Sequence, residues 1–62
     1  MPTLIITTNP NGQTIDMYCC SFMHATEITK TLNEIEPNNI VKTDYEKDGK
    51  ITPVYDKVNG YQ

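Results

Sequence analysis

Cys19 and Cys20, with Asp16 shortly before them and His24 shortly after, are the residues of this chain whose types could do chemistry. A thiol beside an imidazole suggests nucleophilic catalysis, with the imidazole taking the thiol proton. A thiol, an imidazole and a carboxylate could hold a metal ion. The spacing argues against both. Adjacent residues on a strand point to opposite faces, so Cys19 and Cys20 cannot ligate one ion from the same side. A disulfide between neighbours needs unusual backbone geometry, and the pattern is not Cys-x-x-Cys. Cys20 or Asp16 could approach His24 at a strand-to-helix junction, yet structural zinc sites generally take four ligands. No glycine-rich oxyanion or phosphate loop accompanies the Cys–His pair. The two cysteines are expected to be small reduced hydrophobes, one per face, and His24 a surface or helix-start residue.

A second acidic stretch, Asp44-Tyr45-Glu46-Lys47-Asp48-Gly49-Lys50-Ile51, resembles the front of an EF-hand calcium loop. Acidic residues stand at loop positions 1, 3 and 5, Gly at 6 and Ile at 8. Position 3 is Glu rather than Asp or Asn, and position 12 is Tyr55 rather than the bidentate Glu. The preceding helical pattern ends at Pro37, well before Asp44, so the helix–loop–helix frame is missing. A β-hairpin explains the stretch better. The sequence thus predicts no catalytic residue, no metal and no cofactor.

The elements that position these residues are legible from turn chemistry. Thr3 to Thr8 and Gln13 to Phe22 are rich in β-branched and aromatic residues. Asn9-Pro10-Asn11-Gly12 between them fits a type I turn with Gly12 in the left-handed region. A three-residue loop would pair Asn9 with Gln13. It would set Ile5 opposite Met17 and Thr7 opposite Ile15 on one face, with Leu4 opposite Tyr18 and Ile6 opposite Asp16 on the other. Such a hairpin is apolar on both faces, and one helix covers only one. The second hairpin turns at Lys47-Asp48-Gly49-Lys50. A two-residue loop pairs Lys47 with Lys50, like against like. A three-residue loop pairs Glu46 with Lys50, sets Tyr45 opposite Ile51 and Val41 opposite Tyr55, and segregates polar from apolar residues. The second register is preferred. Pro53 cannot donate to a ladder, which places the last strand at an edge or shortens it. The tail from Val58 to Gln62 is expected to be loose.

Between the hairpins the periodicity predicts a helix from about His24 to Glu36. Ala25, Ile28, Leu32 and Ile35 form its apolar stripe. Ser21 could cap it, or Met23 could staple onto Ile28. Pro37 stops it, because a proline disfavours helix at the residue before it. The predicted fold is α+β: a small ββαββ unit of antiparallel hairpins with one helix packed on the sheet, one domain spanning residues 1–62.

Composition then narrows function. Eight carboxylates against five lysines, with no arginine, give a formal net charge of −3. A nucleic-acid binder needs a basic face, so direct DNA or RNA binding is not expected. No apolar run has the length of a membrane span. Met1-Pro2-Thr3 has no basic n-region, and Leu4-Ile5-Ile6 is too short for a signal core. A reducing bacterial cytoplasm is the expected location. At about 60 residues a domain buries only roughly 60% of its unfolded surface, so association with a partner or a second copy is expected to contribute stability.

The chain resembles small phage-encoded anti-defence proteins in being very short, acidic, arginine-free and α+β, without a catalytic motif. Among these it looks most like the dimeric Hachiman anti-defence family. The resemblance implies binding to a bacterial defence or other host protein without enzymatic turnover. The expected function is therefore a non-catalytic protein-binding module, a stoichiometric inhibitor of a larger host protein, and the two-sided first hairpin with the thin core predicts a homodimer. Ile5, Ile15, Met17, Tyr55 and Tyr61 are the candidate interface residues. The alternatives are a small metal-binding protein using Asp16, Cys20, His24 or the Asp44–Asp48 loop, and a structural subunit of a larger assembly.

Overall fold

The computed structural model describes residues 2–8 and 11–62, and the backbone alone at Thr8. Their order is β1 (Thr3–Thr8), β2 (Gln13–Tyr18), α1 (Phe22–Ile35), β3 (Ile40–Lys47), β4 (Lys50–Asp56) and β5 (Gly60–Tyr61). All neighbouring strands are antiparallel and form one sheet in the order β2-β1-β3-β4-β5. The helix packs on one face, chiefly over β3 and β4. This is the expected α+β arrangement of two hairpins and a helix, extended by a short fifth strand.

The first hairpin departs from the expected register by one residue. Gln13 pairs with Thr8, so four residues separate the strands, and Asn9 and Pro10 of that turn lie outside the described residues. Leu4 now opposes Met17, Ile6 opposes Ile15, and Ile5 opposes Asp16. One step of register moves a whole side-chain set to the other face. Leu4, Ile6, Ile15 and Met17 therefore share the helix side, while Ile5 joins Asp16 between Thr3, Thr7, Thr14 and Tyr18. The hairpin is consequently not apolar on both faces. Burial of Leu4 and Ile6 under the helix is the physical reason for this register.

The second hairpin uses the two-residue loop, correcting the expected three-residue one. Asp48 (φ 52°) and Gly49 (φ 80°) are both left-handed, as a type I′ turn requires to match the twist of the strands. Lys47 and Lys50 do face each other, at an exposed position where water screens them. Glu46 opposes Ile51 and Tyr45 opposes Thr52, after which the register shifts and Val54 becomes the extra residue of a bulge. The bulge re-aims the strand: Val54 is fully buried, and Tyr55, opposite Thr43, still packs against the core. A second shift where β1 meets β3 makes Val41 the extra residue, leaving Ile40 buried and Val41 exposed rather than opposite Tyr55.

The helix begins at Phe22, two residues earlier than expected, because Ser21 caps it: its Oγ accepts the His24 N–H at 3.2 Å. It ends at Ile35 with Glu36 as C-cap, ahead of Pro37. Its buried residues are Ala25 and Thr29, with Phe22, Ile28 and Leu32 partly buried. Thr29 enters the core because its hydroxyl is satisfied locally, donating to the Ala25 carbonyl at 2.9 Å. Ile35, expected in the buried stripe, is 69% exposed. Phe22 meets Tyr45 edge to face at 5.7 Å between centroids.

The C-terminal tail is ordered rather than loose. Asp56 Oδ1 accepts the Val58 N–H at 2.7 Å, turning the chain. Gly60 has φ 83°, and Gly60 and Tyr61 pair with Asp56 and Tyr55. Backbone bonding between β4 and the tail ends with the Gln62 N–H donating to the Val54 carbonyl at 2.9 Å, so β4 is an edge on that side at Pro53, where a missing N–H costs nothing.

Candidate functional site

Cys19 and Cys20 diverge as their spacing requires. Cys19 is buried and belongs to the core, while Cys20 is exposed, and both are free thiols. Burial, and secondarily the neighbouring Cys20, holds the Cys19 thiol above its usual pKa, which keeps it protonated and unreactive. Cys20 and His24 do come together, but through the Cys20 backbone: its N–H donates to His24 Nδ1 at 2.9 Å. His24 thus works at the third position of the helix much as Glu or Gln does in a capping box: its N–H donates to Ser21 Oγ, and its Nδ1 accepts from the Cys20 N–H. An imidazole whose Nδ1 accepts from the backbone is a capping group rather than a base aimed at a thiol. No group of three or more metal-ligating side chains forms among the described residues. In the Asp44–Asp48 stretch, Asp44 lies 3.6 Å from Lys42 Nζ in an ion pair, and Asp48 occupies the turn.

The five candidate interface residues fall into three places. Tyr55 and Tyr61 lie at the β4–β5 edge with ring centroids 4.7 Å apart. Tyr61 is engaged within the chain: Asn33 Nδ2 donates to its hydroxyl at 2.9 Å, and Lys30 Nζ sits 5.5 Å above its ring. Ile5 is half-buried on the face away from the helix. Ile15 and Met17 remain together, 49% and 37% exposed, on the helix side of β2.

That pair marks an apolar groove. Because α1 lies over β3 and β4, β2 at the far edge of the sheet is uncovered, and all six of its residues are exposed. The space between β2 and the C-terminal half of the helix is a groove of ≈ 210 Å³. Ile6 and Ile40 contribute to its lining, Ile15, Met17, Leu32 and Ile35 form its walls, and Glu36 and Asn39 stand where the helix ends. The chain therefore offers a strand edge and an apolar slot side by side, geometry suited to holding an extended segment.

Sequence reasoning reached Ile15 and Met17 but missed Leu32, Ile35 and Glu36 as their companions. The exposed end of the helical stripe was the available signal: Ile35 extends the apolar row by a turn beyond what a short sheet can cover. No family model matches this chain, and neither any curated protein nor any solved structure is significantly similar to it.

Proposed function

We propose that this chain is a small, acidic, non-catalytic protein-binding module that acts by occupancy. In the setting its composition suggests, it is a phage-encoded stoichiometric inhibitor of a larger bacterial protein, a defence protein among them. The observation that carries this reading is the apolar groove lying along the outer edge of β2, beside which no further strand lies among the described residues. A contiguous apolar patch beside open backbone groups marks an interaction surface more specifically than scattered exposed side chains do. Among the described residues the Cys20–His24 approach is used for helix capping, in keeping with a binding role.

The test is capture from bacterial lysate with the wild-type chain and with the double variant Ile15→Thr, Met17→Thr, which removes apolar surface without changing charge. Both side chains are already exposed and threonine suits a strand, so the variant is expected to keep its fold, which circular dichroism checks. The expected result is one dominant, near-stoichiometric protein held by the wild type and lost by the variant. A captured set unchanged by the variant, or no captured protein at all, overturns the groove as the binding site. Native mass measured alongside decides whether the chain presents this surface as a homodimer or as a monomer.

A further inference from the structure

The backbone of β2 points in a direction that one hydrogen bond fixes. Cys19 N–H donates to the Pro2 carbonyl at 3.3 Å, and that pair continues the β1–β2 register. In an antiparallel ladder, bonded and non-bonded pairs alternate. Ile15 and Met17 therefore bond toward β1, and the backbone N–H and C=O groups of Thr14, Asp16 and Tyr18 point outward. Natural edge strands blunt such a template with charged side chains, above all lysine, with proline, with a bulge or with a covering segment. β2 carries one such charge, Asp16, which is negative, and neither lysine nor proline; it pairs with β1 without a register shift and has no strand on its outer side among the described residues.

Charge around this edge has one sign. Glu36 stands at the groove on the helix side. On the opposite face Asp16 and Glu46 line a second cleft with Ile5 and Tyr18. None of these three carboxylates is in an ion pair among the described residues, where the one ion pair is Lys42–Asp44. Residues 1–29 contain no lysine or arginine, so the five lysines all lie on the helix or on the β3–β5 side of the sheet.

We infer that the outer edge of β2 accepts an extended basic strand of a partner protein. The added strand bonds to Thr14, Asp16 and Tyr18, places alternate apolar side chains in the groove, and directs lysine or arginine side chains on the other face toward Asp16 and Glu46. This rests on the protein-binding reading above and specifies the chemistry of the partner. In strand addition the main chain supplies affinity and the alternate side-chain sites supply specificity. Charge decides against a second copy of this chain as the occupant. Pairing all three outward residues of two antiparallel β2 strands sets Asp16 directly opposite Asp16, and like charges there destabilise the pair. Sliding the strands by two residues only moves the carboxylates to the diagonal.

The experiment is amide exchange by NMR on the isotope-labelled full chain, with a synthetic alternating lysine–valine peptide and its glutamate–valine counterpart. The lysine peptide is expected to protect the amides of Thr14, Asp16 and Tyr18, leaving those of Ile15 and Met17 unchanged. It should bind about tenfold more tightly than the glutamate peptide, and Asp16→Asn should narrow that ratio. Equal binding of the two peptides overturns the basic assignment while the protein-binding reading stands. Protection of the three outward amides in the free chain, growing with protein concentration, assigns the edge to a second copy and overturns the inference. Absence of protection with either peptide removes strand addition altogether, and the lysate capture then decides the broader reading independently.

Discussion

Thr43 presents a buried hydroxyl in the middle of the sheet. It is fully buried, and its Oγ1 has no hydrogen-bond partner among the described residues. A buried polar group left unpaired costs roughly 1–3 kcal/mol, and valine has nearly the same shape with a strong preference for strands. Thr43→Val is therefore expected to stabilise the chain by about 1 kcal/mol, read as a higher denaturant midpoint with an unchanged slope. A loss of stability would mean that the hydroxyl is bonded in solution. Thr29 is the contrasting case: equally buried, it donates to its own helix at 2.9 Å. The difference is local. A helical threonine finds a carbonyl one turn back, whereas a threonine in mid-strand depends on what lies above it. Neither threonine stands out as a core residue in the sequence, where both read as polar.

At the scale of elements, turn chemistry sets where a hairpin turns, and packing sets its register. Gly49 holds φ 80° in a two-residue loop, and a Cβ built there meets nothing within 4 Å. Gly49→Ala therefore carries a conformational cost only, about 1 kcal/mol for the left-handed region. The expected outcome is a Tm lower by about 4–8 °C, while the Lys47–Lys50 pairing persists in the amide-exchange pattern. The hairpin was legible from Asp48-Gly49, but its register was not. Segregating polar from apolar residues along uniform strands favours a three-residue loop. The molecule keeps the shorter turn and restores segregation further along with the Val54 bulge. A bulge has no dependable signature in a single sequence, because it answers to the packing of Val54 and Tyr55 beneath the helix. The helix start shows the same division: Ser21 was a visible cap, while the return bond from His24 to Cys20 needed the strand-to-helix turn to be in place.

Across the whole molecule, burial is uneven. Leu4, Ile6, Ile40 and Val54 are almost fully enclosed, while Ile15, Met17 and Ile35 line an open groove. Stabilities run at roughly 0.05–0.15 kcal/mol per residue, which gives 62 residues only about 3–9 kcal/mol. Leu4→Ala, at a cost of about 3 kcal/mol, is expected to leave a substantial unfolded fraction. Ile15→Ala on the adjoining strand should cost well under about 1 kcal/mol. Thermal unfolding of the two variants side by side checks this asymmetry, and equal destabilisation would show that the groove is closed in solution. The asymmetry matters for function because a surface that contributes little to folding is free to serve a partner.

The sequence by itself determined the order of the first four strands and the helix, the place of the second turn at Asp48-Gly49, the helix stop at Pro37, and an acidic, arginine-free composition. These depend on local backbone preference and on composition, which act without knowledge of the rest of the chain. Tertiary structure decided the strand order, both registers, and the fate of the apolar residues outside the core. It put Ile5 with Asp16 rather than with Met17, fastened Tyr61 to the helix through Asn33 and Lys30, and left Ile15 and Met17 uncovered. The physical reason is geometric. One short helix over a five-stranded sheet settles where it buries the most, over β3 and β4, and the strand farthest from it, β2, becomes the edge that remains open.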